Sequence, residues 1–556
     1  MQKREYKFRA NVDLGNLEAE SDQYLLKGFV PKAEFELLKD LSCPKCIVVG
    51  RTGAGKSALL RKLKEEEESV IAIDPEALSL RHLSNSTIIN YFLDLDVKLD
   101  LFYKVLWRHV FVVEIVKEHF SDSRGDSFRI IQSLKERFGK DRSKKAALDY
   151  LEKWEEKFWE NTEHQIKEVE TTVENAFKRE LKGVVKGDAT YNDKGFGLKS
   201  LIELAGSLIK EGKEGERVLI EVKNKAQKVI NELQVDELKS LMQILQKDVL
   251  PKIQKKYYIV IDDLDKDWVD SKIVYDLIRA LMEVVKEFSR FPQVKIVMAL
   301  RTNIDKEIFD KNTSRGVQRE KIDYLYLNIS WTKEELIVLI NERLKILMKD
   351  TYTNQTPTIM DIIPETTKKH GSAVEYLVDR TLLRPRDMLD FFNKCIYFSN
   401  GKTKITWQVI KKAEEKYSKK RLNALEDEWL ENYGDLEVLY NLIKGSTVSF
   451  KLSDLHDYAN SYFVDVITND KVKNLSEVWK NRFKQFGNDF KPIPLLKEIL
   501  ALLHNVGILG IKMSEDEPLE YIYESLNSID ADSINKSYPK FYVHPTYWKG
   551  LKIKSK

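Results

Sequence analysis

Cysteine is nearly absent from this chain. Three (Cys43, Cys46, Cys395) in 556 residues are too few for a disulfide framework, so a reducing cytoplasm is the expected compartment. No run of about 18 consecutive apolar residues occurs, which removes a membrane-spanning helix. A large charge of one sign is missing too. Lys and Arg number 92 and Asp and Glu 89, a net of +3 with His neutral. That balance argues against charge-driven disorder and gives no support to a purely electrostatic nucleic-acid binder, though local basic patches are allowed. The start, MQKREYKFRANVDLG, has no apolar run behind its basic residues, so no signal peptide is expected. At about 150 residues per domain, the length predicts roughly three to four folded domains.

Apolar runs that stop at glycine or acids read as buried parallel strands. LSCPKCIVVG ends at Gly50, a helical pattern SALLRKLKEEEE follows, and SVIAIDP (Ser69 to Pro75) is a second run. That strand, loop, helix, strand order is a βαβ signature. KYYIVIDDLD (Lys256 to Asp265), VKIVMALRT (Val294 to Thr302) and IDYLYLNIS (Ile322 to Ser330) supply three more strands. The expected fold class is α/β, a P-loop NTPase parallel sheet with a large helical insertion, a helical lid domain and a C-terminal winged-helix-like domain. Boundaries are set at residues 1–82 (N-terminal segment and start of the core), 83–256 (insertion), 257–331 (rest of the core), 332–420 (lid) and 421–556 (C-terminal domain). The insertion opens with NYFLDLDVKLDLFYKVLWRHVFVVEIVKEHF, helical by spacing and strongly apolar. It continues as exposed helices whose charges solvate them, a reading preferred over a coiled-coil partner, with Leu151, Trp154, Phe158, Ile166, Val169 and Val173 at mostly three- and four-residue steps. In the tail, PLLKEILALLHNVG reads as a helix, followed by strands ILGIKM and EYIYES.

Gly50-Arg51-Thr52-Gly53-Ala54-Gly55-Lys56-Ser57 fits the phosphate-loop pattern without a mismatch. Glycines let successive backbone N–H groups turn inward as an anion nest, and the helix starting near Lys56 directs its positive end at the phosphates. Lys56 then neutralises β- and γ-phosphate oxygens, Ser57 ligates Mg²⁺, and Thr52, Ala54 and Ala58 line the cradle. Asp262 and Asp263 end the third strand. The first is expected to hold a Mg²⁺-bound water and the second to orient or deprotonate the attacking water. Asp in place of Glu has a shorter reach, so slow turnover is expected. Asp265 and Asp267 read as helix caps or solvent-facing acids. Arg301, Thr302 and Asn303 end the fourth strand, where a polar residue can report the γ-phosphate. Arg384 and Arg386, at the start of MLDFFNKCIYF, are candidates to reach a nucleotide from a helical domain. Arg315 and Arg319 are candidates to act in trans.

Weaker patterns receive plain readings. Cys43-Pro44-Lys45-Cys46 could be redox-active or half a zinc site, but no second pair completes a tetrahedron, and a turn into the first strand is the preferred reading. His544 with Tyr542, Tyr547 and Trp548 is read as packing a small wing. Lys549, Lys552, Lys554 and Lys556 form a basic end that is read as solvated.

Together, GRTGAGKSALL, YYIVIDDLDKDW, IVMALRTNID, ISWTKEEL and LLRPRDMLDFFNKC resemble bacterial P-loop ATPases near the AAA+, STAND and KAP branches of the additional-strand class. The resemblance runs from about Gly15 to about Ile396. It implies a sensor strand between the phosphate-loop strand and the acidic strand, and ATP with Mg²⁺ rather than GTP. It also implies a homo-oligomer in a bacterial antiviral setting, with a separate effector protein. Departures are the lack of a Glu after Asp262 and the lack of any recognisable effector in the tail. Two alternatives remain open: an initiator-like DNA-binding ATPase, and a nucleotide-binding scaffold that does not hydrolyse.

Overall fold

Five short, almost wholly apolar segments build the first sheet. In a computed structural model, β1 (Ile47–Gly50), β2 (Val70–Ile73), β3 (Tyr257–Ile261), β4 (Val294–Arg301) and β5 (Tyr326–Asn328) pair all-parallel in the order β2-β3-β4-β1-β5. The structure describes residues 7–78, 80, 83, 85–120, 136, 162–185, 198–210, 213–232, 236–250, 255–266, 268–309, 319–351, 357–368, 371–525, 528–534 and 539–554. Every residue of β1 and β3 is buried, and β4 is buried until Arg301, as expected of a parallel sheet covered on both faces. The sensor strand β4 lies between β1 and β3, as the resemblance implied. The chain divides into two compact units, Pro31–Ile329, which holds this sheet, and Met1–Val30 with Ser330–Lys556.

Helices α1 (Ala33–Lys39), α2 (Lys56–Glu66), α3 (Thr87–Asp94), α4 (Asp100–Phe120), α5 (Thr162–Val185), α6 (Leu198–Ile209), α7 (Lys213–Asn231), α8 (Asp236–Ile244), α9 (Ser271–Phe288) and α10 (Thr302–Ile308) complete the sheet-containing unit. Lys295, buried within β4, donates to the Leu37 and Asp40 carbonyls at 2.7 Å each. It thereby caps the negative end of α1, while burial holds its ammonium below the usual lysine range.

Within the segment 83–256, the strongly apolar helical stretch at its start joins the core instead of standing out in solvent. α3 and α4 share one apolar core with the sheet and α9. Trp107 Nε1 donates to the Leu277 carbonyl at 2.9 Å, and Trp107 meets Trp268 edge-on at 6.2 Å. Arg108 forms a two-pronged pair with Glu287. α4 interleaves apolar residues so densely that most of its surface must be covered, and α9 covers it. Beyond α4 the charged texture returns. α5 buries Val169, Val173, Phe177 and Leu181 and exposes its charges, with Glu180 bridged to Lys225 and Lys228. Leu151, Trp154 and Phe158 lie outside the described residues.

The second unit corrects the N-terminal boundary. Residues 7–30, the N-terminal segment grouped with the start of the core, belong instead with the helices after Ser330. Phe8 N–H donates to the Lys402 carbonyl at 2.9 Å, and Leu14 N–H to Asn393 Oδ1 at 2.8 Å. Asp22 forms a pair with Arg343 at 2.7 Å in which both side chains are 2% exposed. Arg343 sits on α11 (Lys333–Thr351), followed by α12 (Pro385–Phe398) and the 27-residue α13 (Trp407–Tyr433). The tail contributes α14 (Leu436–Tyr440), β6 (Ser449–Lys451), α15 (Leu452–Thr468), α16 (Glu477–Asp489), α17 (Pro492–Asn505), β7 (Leu509–Lys512) and β8 (Lys540–Val543). Its antiparallel sheet runs β6-β8-β7, and helices followed by a hairpin give the winged-helix arrangement.

One predicted strand fails. EYIYES makes a single bridge, Glu520 to Ile511, and then a short helix, Ile522–Ser525. The partner of β7 is β8 instead. Paired Tyr521 and Tyr523 rings, stacked at 5.3 Å, cover His544 and the bare backbone of Gly510, where a Cβ would lie 2.6 Å from the Tyr521 ring. Those aromatics are committed to packing across the hairpin rather than to extending it. α17 is a core helix, with Leu495, Leu496, Ile499, Leu500, Leu502 and Leu503 buried.

His109 on α4 is 1% exposed, and burial pushes its imidazole down to about 4. The folded core therefore holds the neutral ring. Its contribution is whole above the unfolded-state value of about 6.5 and is lost as pH falls from there through about 4. Integrated over that window, it amounts to about 3 kcal/mol. Thermal unfolding of the wild-type chain between pH 7 and pH 4 is expected to show a steeper acid loss than that of His109→Leu. Parallel profiles would contradict this.

Candidate functional site

The loop after β1 can take its shape only with glycine. Gly53 and Gly55 have φ of +79° and +100°, a region costly for any side chain. Gly50 has an ordinary φ but a tight fit: a Cβ there would press on the Ala54 Cβ at 3.3 Å and touch the Ile329 Cβ at 3.5 Å. Gly55 is the N-cap of α2. The helix receives no side-chain cap and carries no acid in its first turn, so its first N–H groups and positive end face the loop interior unneutralised. An anion fits this cradle. Lys56 is 8% exposed, and its ammonium folds over the loop, donating to the Gly50 carbonyl at 2.9 Å and the Arg51 carbonyl at 3.2 Å. Thr52, Ser57 and Ala58 are half-buried around the same loop, and Ala54 is buried beneath it.

Register brings the other candidates to the same edge. Gly50 pairs directly with Arg301, and Ile261, the last residue of β3, pairs with Met298 and Ile73. Met298 in turn pairs with Ile47, so β3 ends three residues before the level of Gly50. Asp262 leaves the sheet two strand spacings to the side of β1, about 10 Å across, with room between them for a polyphosphate and its cation. Asp263 has φ of +58°, a left-handed conformation that turns the chain back. Its N–H donates to Asp262 Oδ1 at 2.9 Å, and its carboxylate accepts from Lys266 Nζ at 2.7 Å. Arg301 ends β4, and Thr302 and Asn303 open α10, all half-buried.

Asp265 departs from its reading as a cap or solvent-facing acid. Its side chain is 11% exposed and forms an ion pair with Arg301. Burial raises its carboxyl above the usual range, opposed by Arg301 and by Lys56. A clue lay in the sequence: Leu264 before it is apolar and must be buried, so the turn has to fold inward. Asp267 and Arg315 lie outside the described residues.

The remaining arginines are held inside their own units. Arg384 is 3% exposed, and its Nε donates to Asp387 Oδ2 at 2.7 Å, while Arg421 lies 3.2 Å from the other oxygen of the fully buried Asp387. Within its unit the Arg384 guanidinium is held by Asp387, because leaving it would strand a buried charge. Arg386 is half-buried and donates to the Leu17 carbonyl at 3.3 Å. Arg319 is paired with Asp305 at 3.1 Å and lies over the Phe309 and Tyr326 rings. Cys46 is buried, which pushes its thiol up to about 12, and Cys43 is half-buried. His544 is buried among Tyr521, Tyr523 and Tyr547.

Residues 334–426 match the family described as the FunZ-associated C-terminal helical domain. Over 559 aligned residues the chain is 21% identical to the Escherichia coli (strain K12) protein named "Putative transposon gamma-delta 80.3 kDa protein", covering 97% of this chain and 67% of that one. Among solved structures, the Walker-type ATPase of Pyrococcus abyssi is similar at 12% identity and a TM-score of 0.32, covering 91% of this chain and 95% of that one. Cdc6p from Pyrobaculum aerophilum is similar at 13% identity and a TM-score of 0.28, covering 91% and 96%. The fold assignment rests on the strand order and the loop themselves.

Lys56→Ala removes the one ammonium in the cradle. Calorimetric titration with ATP is expected to show a loss of about 100-fold or more in affinity, the scale of a charged contact to phosphate, with an unchanged far-UV spectrum. An unaltered affinity would defeat the assignment.

Proposed function

We propose that this chain is a Mg²⁺-dependent ATP-binding switch that hydrolyses ATP slowly. The observation that carries this reading is the register of one sheet edge, where Gly50 lies opposite Arg301 and the acids at the end of β3 lie on the far side of β4. In this reading the open N-terminus of α2 and the glycine backbone bind the phosphates. Lys56 leaves the Gly50 and Arg51 carbonyls for β- and γ-phosphate oxygens. Ser57 and Asp262 would hold the cation, which would supply charge neutralisation when bound. Asp263 takes the proton of the attacking water. For that it must release Lys266, and the shorter reach of Asp compared with Glu adds to the cost, so turnover is slow.

The wider setting follows the sequence resemblance: a homo-oligomer in antiviral defence, acting in the cytoplasm on a separate effector. ATP would shift this switch only by the difference in its affinity for the two states. No described helix is long and apolar enough to cross a membrane.

The winged-helix strand order of the tail favours a second reading, an initiator-like ATPase that binds duplex DNA. Charge speaks against it. Residues 421–556 carry 17 Lys and Arg against 20 Asp and Glu, a net of −3. The wing exposes Glu515, Asp516, Glu517 and Glu520, and α17, which precedes the wing, is buried.

Phosphate release by the purified chain, alone and with duplex DNA, separates these readings. Slow release that DNA leaves unchanged is expected, and DNA-stimulated release would favour the second reading. Asp263→Asn should bind ATP as the wild type does and lower the rate by about 100-fold, the scale of a lost general base. Normal turnover in that variant would exclude Asp263 as the base.

A further inference from the structure

We infer that Asp265 is a positioning residue for the nucleotide site: its carboxylate fixes the Arg301 guanidinium so that the remaining N–H groups of Arg301 meet a γ-phosphate. The pair is then the feature by which the site tells a nucleoside triphosphate from a diphosphate. This inference rests on the ATP reading above and assigns a role to a residue outside the phosphate-loop and strand-end motifs.

The geometry supporting it is local and redundant. Asp263, with φ of +58°, reverses the chain at the end of β3. Leu264 is 1% exposed, and its carbonyl accepts from Trp268 Nε1 at 3.0 Å, so the turn is anchored on both sides of the backbone. Asp265 is thereby directed toward β4, the strand hydrogen-bonded to β3, where Arg301 Nη2 meets it. The two ends of the pair differ in exposure: the Asp265 side chain is 11% exposed and that of Arg301 32%. Asp265 is therefore the fixed anchor, and Arg301 keeps an open side. A guanidinium presents five N–H groups in one plane, so an ion pair at Nη2 leaves those on Nε and Nη1 to donate elsewhere. Arg301 stays with Asp265 because its departure would leave a buried carboxylate unpaired. The open side lies at the tip of the strand that pairs with Gly50, where the phosphate loop begins.

The test measures binding to the full-length chain, so it does not depend on turnover. Affinities for a non-hydrolysable ATP analogue and for ADP are compared in wild type, Asp265→Asn, Arg301→Ala and the double variant. Each single variant is expected to lose about tenfold in affinity for the triphosphate, with ADP affinity unchanged. The double variant should be no weaker than Arg301→Ala alone. A wild-type preference in Asp265→Asn, or losses that add in the double variant, would overturn the inference. A second measurement does not require Asp265→Asn to be as stable as wild type. Millimolar methylguanidinium should restore triphosphate binding to Arg301→Ala but not to the double variant, and equal rescue in both would also overturn it. If the wild-type chain binds neither nucleotide, the ATP reading itself has failed and the inference falls with it.

Discussion

The structure depends on one unneutralised helix end. α2 starts directly at Lys56 with a left-handed glycine as its cap, no side-chain acceptor and no acid in its first turn. A stability-driven sequence would place Ser, Thr or Asp there and gain about 1 kcal/mol. Some helices of this chain do so: Ser86, Thr406 and Ser372 each accept from a first-turn N–H, whereas α17, like α2, has neither a side-chain cap nor a first-turn acid. Starting α2 from a glycine cap, in a turn that needs φ of +79° and +100°, stores a local cost that a bound polyanion would offset. The opposite edge is acidic, and β4 carries a cation between the two. Charge thus alternates along one rim of a rigid sheet, which is the condition for holding a metal-bound polyphosphate.

Within each unit, the chain immobilises other cations by internal pairing. Arg384 and Arg421 share the buried Asp387, Arg343 is paired with Asp22, and Lys295 caps α1 through two carbonyls. Such pairs contribute little net stability, because desolvation offsets attraction, but they strongly penalise any other arrangement. Their effect is to specify geometry. The LRPRD segment illustrates this: Leu383 is left-handed at φ of +50°, and the strained turn is held because Asp387 also accepts from the Leu382 N–H at 3.3 Å.

The sheet was legible because buried parallel strands are continuous apolar runs, and each of the five runs became a strand. The loop was legible because its glycines answer a backbone requirement that pattern alone reveals. What escaped sequence reading depended on tertiary partners. α4 looked like part of an insertion because nothing local says that α9 covers it. Residues 7–30 looked like a lead-in to the core because Asp22 and Arg343 are 321 residues apart. EYIYES alternates as a strand would, yet its tyrosines pack on His544 and Gly510. The partners of Arg384 and Asp265 were hidden for the same reason, since a charged side chain in sequence does not disclose its counter-ion. Asp265 could have been found by asking what must follow once Leu264 is buried.

The central claim is that the phosphate cradle and the acids across β4 act as one site through a shared cation. Its most direct test is ATP affinity measured with Mg²⁺ and with chelator, in the wild-type chain and in Asp262→Asn. Wild-type affinity should rise when Mg²⁺ is present, and that dependence should vanish in the variant while metal-free binding persists. Equal Mg²⁺ dependence in the two proteins would show that the acidic edge takes no part and would contradict the account.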